Sequence, residues 1–347
     1  MTLRLAAACA AGVLAVLVTG APAAAHSGET ATSTAYHSRL VSVSPSVSGA
    51  RLELVRHGTH VQVTRSGARE VVVLGYQGEP YLKLTADGVY ASATSATSYV
   101  NEILDPRTRP AGSAASGSGA SGSGALWHRI ATGPQYRWHD HRTHWIGTAL
   151  PPAAQADPAH EHRITNWTIG LEVDGRSVTA AGTLDYLPPP EPSLWWAAIL
   201  VAAAAVGLLG RWPRALGVLL GLAGLAALAE GIGRSLDYGD AGWAILGGLF
   251  GRDTYGTLTA LGAVAAGVVA VLRRPAGEFA LALAGVCLAV LAGVTRADVF
   301  AVGGAPVPWN PLFSRLAVAA ALAIGAGVTV AAWQRLRAER RAAVPTA

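Results

Sequence analysis

The chain has 347 residues, of which 51% are hydrophobic and only 14% charged, with a formal net charge of +5. A soluble domain carries about 25% charged residues, so the composition argues against an all-soluble protein. The charge does not mark a nucleic-acid partner either. Residues 26–192 hold thirteen Arg/Lys against fourteen Asp/Glu, and residues 193–347 hold twelve against seven, whereas a nucleic-acid-binding module carries its positive excess on itself.

Residues 1–25 (MTLRLAAACAAGVLAVLVTGAPAAA) combine Arg4, an apolar stretch from Leu5 to Val18 and the small run Ala23-Ala24-Ala25. This is the pattern of a secretory signal peptide, cleaved between Ala23 and Ala25. Residues 26–38, rich in Ser, Thr and Ala, are expected to be a flexible arm. Strand signals begin at Arg39 and run to Leu187. Leu52, Leu54, Val61 and Val63 alternate on either side of Gly58, which predicts a hairpin. Glu70–Tyr76 (EVVVLGY) suits a buried strand, and Asp87-Gly88 and Asp174-Gly175 are strong turn signals. Residues 111–125 form a Gly/Ser/Ala loop of low complexity, and Trp127–Trp145 reads as strand-like. No amphipathic helix is evident. The expected fold for 39–187 is an all-β, immunoglobulin-like sandwich. The two cysteines, Cys9 and Cys287, lie outside it, so its core must hold it without disulfides.

Residues 188–192 (PPPEP) read as a stiff linker, followed by a membrane domain over 193–333. Apolar segments near 193–210, 215–233, 255–272, 279–296 and 313–333 are long enough to cross a bilayer. Ala241–Phe250 is apolar but too short, and is expected to be interfacial or re-entrant. Eight arginines (211, 214, 273, 274, 335, 337, 340 and 341) fall on one side of five such spans and four (234, 252, 296 and 315) on the other. The arginine-rich side, with the basic tail 334–347, is expected to be cytoplasmic and residues 26–192 extracytoplasmic. Lipid is therefore the first expected partner, with an envelope protein as a second.

All ten histidines precede the membrane series. The densest stretch is Trp138-His139-Asp140-His141-Arg142-Thr143-His144-Trp145. On a continuous strand His139 and His141 share one face and Asp140 and Arg142 the other, and His144 joins them if the chain bends. Imidazoles so placed suit Zn(II) or Cu(II). The competing reading is a hydrogen-bonded network in which Asp140 and the backbone take up the imidazoles and fix a loop between Trp138 and Trp145. His57/His60 and His160/His162 could supply a fourth ligand or a second site, but His57 and His60 straddle an expected turn and read as exposed rather than ligating. His160 and His162 read as a solvated loop. His26 is a weaker copper candidate: cleavage after Ala25 joins its imidazole to a free amine, cleavage after Ala23 makes it the third residue, and otherwise it sits in a disordered tail. The lack of methionine after Met1 and of exported cysteine disfavours Cu(I).

The segments that follow hold no His, Met, Lys or Asp within their apolar stretches. Glu230 and Arg234 are spaced i, i+4 near the outer end of the second span. They read as an interfacial salt bridge or, alternatively, as part of a polar site shared with Asp237, Asp240, Asp253 and Asp298. Gly217/Gly221 and Gly262/Ala266 read as helix-packing pairs. No phosphate loop, nucleophile elbow, HExxH or dinucleotide fingerprint is present, so no catalytic residue is assigned.

VVVLGYQGEPYLKLTADGVY (71–90) and WHDHRTHW (138–145) resemble a family of exported membrane proteins of actinobacteria. That resemblance implies an exported domain followed by membrane helices and carries no activity. A looser likeness links His37-Ser38-Arg39-Leu40 and Ser44-Pro45, with Gly49 and Leu52, to bacterial copper-resistance proteins, which join a β-sandwich to a helical membrane domain; the missing methionines and the span composition depart from them. The resulting expectation is a non-enzymatic envelope protein with a histidine-bearing β domain that takes Cu(II) or Zn(II). The alternatives are a metal-free scaffold and a transporter or membrane enzyme using the outer acids near Glu230.

Overall fold

The computed structural model describes residues 33–104 and 126–342. The expected signal peptide, His26, the 111–125 loop and the last five residues lie outside the described residues. Ten strands are described: β1 (Tyr36–Ser44), β2 (Ala50–Val55), β3 (His60–Arg65), β4 (Val71–Leu74), β5 (Pro80–Thr85), β6 (Gly88–Ser92), β7 (Trp127–Ala131), β8 (Gln135–His139), β9 (His162–Val173) and β10 (Arg176–Tyr186). They form two antiparallel sheets, one in the order β1-β10-β9-β4-β5-β6-β7 and one in the order β2-β3-β8.

The expected hairpins form where the turn residues lie. β9 and β10 pair from Val173↔Arg176 outward, across Asp174 (φ 49) and Gly175 (φ 76), the left-handed pair that a two-residue hairpin loop requires. The inward rows Val61/Val63, Tyr81, Trp138 and Ile169/Leu171 share one apolar core, with the Trp138 ring edge-on to Tyr81 at 6.2 Å. Strand β1 starts at Tyr36, three residues inside the expected arm. Two single-turn helices, α1 (Ala96–Val100) and α2 (Pro152–Ala156), interrupt the strands; each is too short to print an amphipathic period.

Five helices are long and apolar enough to cross a membrane: α3 (Pro192–Arg211), α4 (Pro213–Asp237), α6 (Thr254–Val271), α7 (Gly277–Phe300) and α8, whose apolar stretch lies within Pro311–Glu339. The last continues through the basic tail to Ala342. Between α4 and α6 the short apolar piece forms only α5 (Ala244–Gly247) and a π turn. Small residues set the α4–α6 approach. A Cβ on Gly267 would lie 2.4 Å from the Gly217 carbonyl oxygen and 3.1 Å from the Gly221 nitrogen, so backbone packs on backbone. Gly262 has open space where its Cβ would be and does not share in that contact.

The β domain rests on the loops at one end of the helices. The Gly304 amide donates to the Thr34 carbonyl at 2.7 Å, and the Ser33 amide donates to Asp298 Oδ2 at 2.9 Å. The Tyr238 ring, just past α4, receives the guanidinium of Arg137 from β8 at 4.6 Å and that of Arg56 from the β2–β3 turn at 5.4 Å, both within cation–π range. Thus the outward face of the small sheet, which carries His60, Gln62, Arg137 and His139 by strand alternation, adjoins the membrane domain.

Candidate metal centre

The loop after β8 departs from the expected strand geometry. Pairing with β3 ends at His60↔His139, and the chain then turns: the Thr143 amide donates to the Asp140 carbonyl at 3.1 Å. The cause is the Asp140 side chain, which is fully buried. Its Oδ2 accepts from Trp138 Nε1 at 2.8 Å and Arg142 Nη2 at 2.7 Å, and its Oδ1 accepts from the Arg142 amide at 3.0 Å and Arg142 Nε at 2.9 Å. A carboxylate that accepts the amide two residues on closes an Asx turn. Asp140 and Arg142 are therefore joined beneath the turn, not ranged along one strand face. Arg142 also donates to the Leu74 carbonyl at 3.3 Å, and the His141 amide donates to Tyr76 Oη at 3.0 Å. Tyr76 in turn donates to Asn101 Oδ1 at 2.6 Å, and Asn101 Nδ2 donates to the Tyr81 hydroxyl in the core at 3.1 Å. Trp145 folds back on the loop, its Nε1 donating to the Ala149 carbonyl at 2.8 Å.

This network fixes the loop without using the rings of His139 and His141, and among the described residues neither ring makes a hydrogen bond. The turn brings His139, His141 and His144 together, their ligand atoms all within 4.8 Å of one another. Ring centroids are 4.0 Å apart for His139–His144, 5.3 Å for His139–His141 and 5.4 Å for His141–His144. A tetrahedral ion with bonds of ~2.0–2.1 Å sets its nitrogens about 3.3 Å apart, so the trio would need a modest side-chain rotation to hold one. His144 Nδ1 lies 2.8 Å from the Asp140 carbonyl and must donate to it, which leaves Nε2 with the lone pair. A ring N–H donated to a carbonyl is the usual outer partner of a ligating histidine. Beyond His141 a polar cleft of about 520 Å³, lined by Tyr76, Arg142, Thr165, Asn166 and Thr168 among others, opens to solvent.

The surroundings favour the neutral form of His139 and His144. Burial, then the neighbouring His139, pushes the His144 imidazole down to about 4. Burial, His141 and Arg56 push His139 in the same direction. Burial alone would raise Asp140, but its hydrogen bonds and ion pair with Arg142 hold it below the usual carboxylate range, so it stays an anion inside the turn. Burial lifts the Tyr76 hydroxyl to about 12, so it remains protonated.

Other predicted residues fall elsewhere. His57 is not exposed: only 7% of its side chain is accessible, and its backbone amide and Nδ1 both contact Asp237 Oδ1 of α4, at 3.1 and 3.2 Å. Its ring lies 5.3 Å from that of His37, a neighbour that spacing alone had not suggested. His60 lies beside His139, with ring centroids 5.2 Å apart. His160 pairs with Asp157 at 2.8 Å in an exposed loop. Glu230 and Arg234 do pair at 3.1 Å, but with only 1% and 14% of their side chains accessible, and Ser314 Oγ donates to Glu230 Oε2 at 2.6 Å. The pair is thus buried inside the bundle near the outer end of α4. Of the outer acids named with it, Asp253 pairs with Arg296 and Asp240 with Arg252. Sequence reasoning missed Tyr76 and Asn101, which hold the His141 backbone; their spacing carries no local signal.

No family model, curated protein or solved structure matches the chain. The functional argument therefore rests on the residues themselves.

Asp140→Asn removes the anion that faces a mostly buried guanidinium. It is expected to destabilise the β domain by about 3 kcal/mol, read as a fall in Tm of the purified full-length protein, whereas His141→Ala at the loop surface should shift Tm far less. The pH dependence has a definite sign. An imidazole whose folded pKa lies below the unfolded value of 6.5 binds its proton more readily when unfolded. The stability it supports is complete above pH 6.5 and is lost as pH falls toward 4. Metal-free protein should therefore show a lower Tm at pH 4.5 than at pH 7, and His144→Phe should shrink that difference.

Proposed function

We propose that this is a non-enzymatic envelope membrane protein whose β domain lies outside the cytoplasm and binds one divalent transition-metal ion, Zn(II) or Cu(II), through His139, His141 and His144. One observation carries the reading. The loop satisfies its polar groups through Asp140, Arg142, Trp138 and Tyr76, with His144 Nδ1 on the Asp140 carbonyl, so the rings of His139 and His141 are not needed to hold it and His144 keeps Nε2 for an ion. Neutral imidazole nitrogens with no thiolate or thioether beside them suit Zn(II) and Cu(II) over Cu(I). Three protein ligands leave a coordination position for water or another donor. Asp140, the carboxylate within the loop, is engaged by Arg142 and Trp138, which favours binding over general-base chemistry.

The sidedness rests on charge. The β domain adjoins the ends of the helices that carry Arg234, Arg252, Arg296 and Arg315, and the first three pair with Glu230, Asp240 and Asp253. Arg315 donates to the carbonyls of Val299, Val302 and Gly303. The opposite end bears the other eight arginines, and that excess belongs in the cytoplasm.

Titrating the metal-free full-length protein in detergent with Zn(II) and Cu(II) should give saturable one-to-one binding, abolished by His139→Ala with His141→Ala. Binding that is absent, or unchanged in that double variant, refutes the site. In intact cells a membrane-impermeant thiol reagent should label Ser177→Cys on β10 and spare Arg337→Cys on the tail until lysis. The reverse pattern would place the site inside.

A further inference from the structure

A fourth imidazole, His60, lies beside His139, although its ligand atoms are not all within the 4.8 Å that joins His139, His141 and His144. His60 faces His139 across the β3–β8 ladder, and their centroid separation of 5.2 Å matches the 5.3 Å between His139 and His141. The hydrogen bonds around His60 fix its tautomer. Thr59 Oγ1 donates its single proton to the Arg56 carbonyl at 2.8 Å, so toward His60 Nδ1, 3.0 Å away, it can only accept. Arg56 Nη1 lies 3.2 Å from His60 Nε2, and a guanidinium has no acceptor. These two contacts favour the tautomer with the proton on Nδ1 and the Nε2 lone pair toward the Arg56 guanidinium. His144 has the same arrangement, with Nδ1–H on the Asp140 carbonyl and Nε2 left with the lone pair.

We propose that His60 Nε2 is the fourth protein ligand of the ion held by His139, His141 and His144, and that Arg56 is the cation it exchanges for the metal. This rests on the three-histidine reading above. The exchange forms one metal–nitrogen bond and breaks one N–H···N hydrogen bond, with no proton lost from His60. The displaced guanidinium has a second seat, because the Tyr238 ring of the membrane domain already lies 5.4 Å from it. Arg56 also lies in a turn of unusual backbone conformation. It and His57 both adopt left-handed conformations (φ 54 and 59), which are costly for residues with a Cβ, and the contacts of His57 with Asp237 hold that turn against α4. Metal binding on the β domain is thereby linked to a side chain that bridges to the membrane domain.

The test uses full-length protein in detergent loaded with Zn(II), with X-ray absorption to count first-shell imidazoles and chelator competition to measure affinity. Wild type should show four imidazoles, and His60→Ala should show three with affinity weakened about tenfold or more. Arg56→Gln removes both the competing donor and a like charge, and should tighten Zn(II) about tenfold. Three imidazoles in wild type, or a His60→Ala protein with unchanged affinity while His139→Ala abolishes binding, overturns the fourth ligand and leaves the trio standing. Unchanged or weaker affinity in Arg56→Gln overturns the exchange. Absence of saturable Zn(II) binding in wild type overturns the underlying site as well. Should His60→Ala fail to fold, the wild-type imidazole count still decides the question.

Discussion

The site depends on one buried carboxylate. Asp140 lies under the loop with no solvent access, and an anion there must be fully hydrogen-bonded or it would not remain charged. The chain meets that demand locally, with Trp138 from the strand before it and Arg142 from the turn after it. Reaching both requires the backbone to leave the strand at His139 and reverse by Thr143. Once it has done so, the side chains at 139, 141 and 144 lie together, their ligand atoms within 4.8 Å of one another. The imidazole cluster is thus a geometric consequence of satisfying Asp140.

The same economy appears at the junction with the helices. The β2–β3 turn places Arg56, His57 and Gly58 successively at positive φ, an unfavourable run for two residues with side chains. What offsets it is external: the His57 amide and ring meet Asp237 at the end of α4, and the Arg56 carbonyl accepts both from the Thr59 amide and from its hydroxyl. The turn therefore holds its shape because it is docked. Deeper in the bundle, Glu230 with Arg234 and Ser314, and Asp253 with Arg296, show the same logic applied to charges withdrawn from lipid. Each acid near the outer ends of the helices that is drawn inside has a partner, as burial of an ion demands.

How much of this the sequence reveals differs by element. Period-two alternation and the Gly and Asp-Gly positions place the β2–β3, β5–β6 and β9–β10 hairpins, because those turns need residues that tolerate positive φ. The five apolar segments are legible because lipid tolerates little else, and the small residues at Gly217 and Gly221 mark the α4–α6 contact. The loop geometry was less legible. WHDHRTH alternates well enough to pass for a strand, and the Asx turn at Asp140 competes with that pattern through one side-chain bond. The clue was present in an Asp two residues before a potential donor and three before a Thr whose hydroxyl returns to the same carbonyl. For the left-handed Arg56 and His57 there was no clue, since only Gly58 advertises such a turn and the stabilising Asp237 lies in another domain.

The position of the imidazoles relative to the arginines bears on what kind of metal site this is. A site built for permanent metal retention surrounds its ligands with carboxylates, which raise ligand basicity and balance the ion's charge. Here the carboxylate of the loop is already neutralised by Arg142, and Arg56 contributes a positive field felt at His139. Arg137 and Arg252 stand close behind, against the Tyr238 ring. Every one of these charges opposes a divalent cation. Under the proposed metal reading, imidazoles set among these arginines, with Asp140 and Glu102 opposing them at His139, would favour a site that exchanges its ion over one that retains it. Under the proposal, Arg56 would move between His60 and the Tyr238 ring, and that exchange would tie ion release to the helices below.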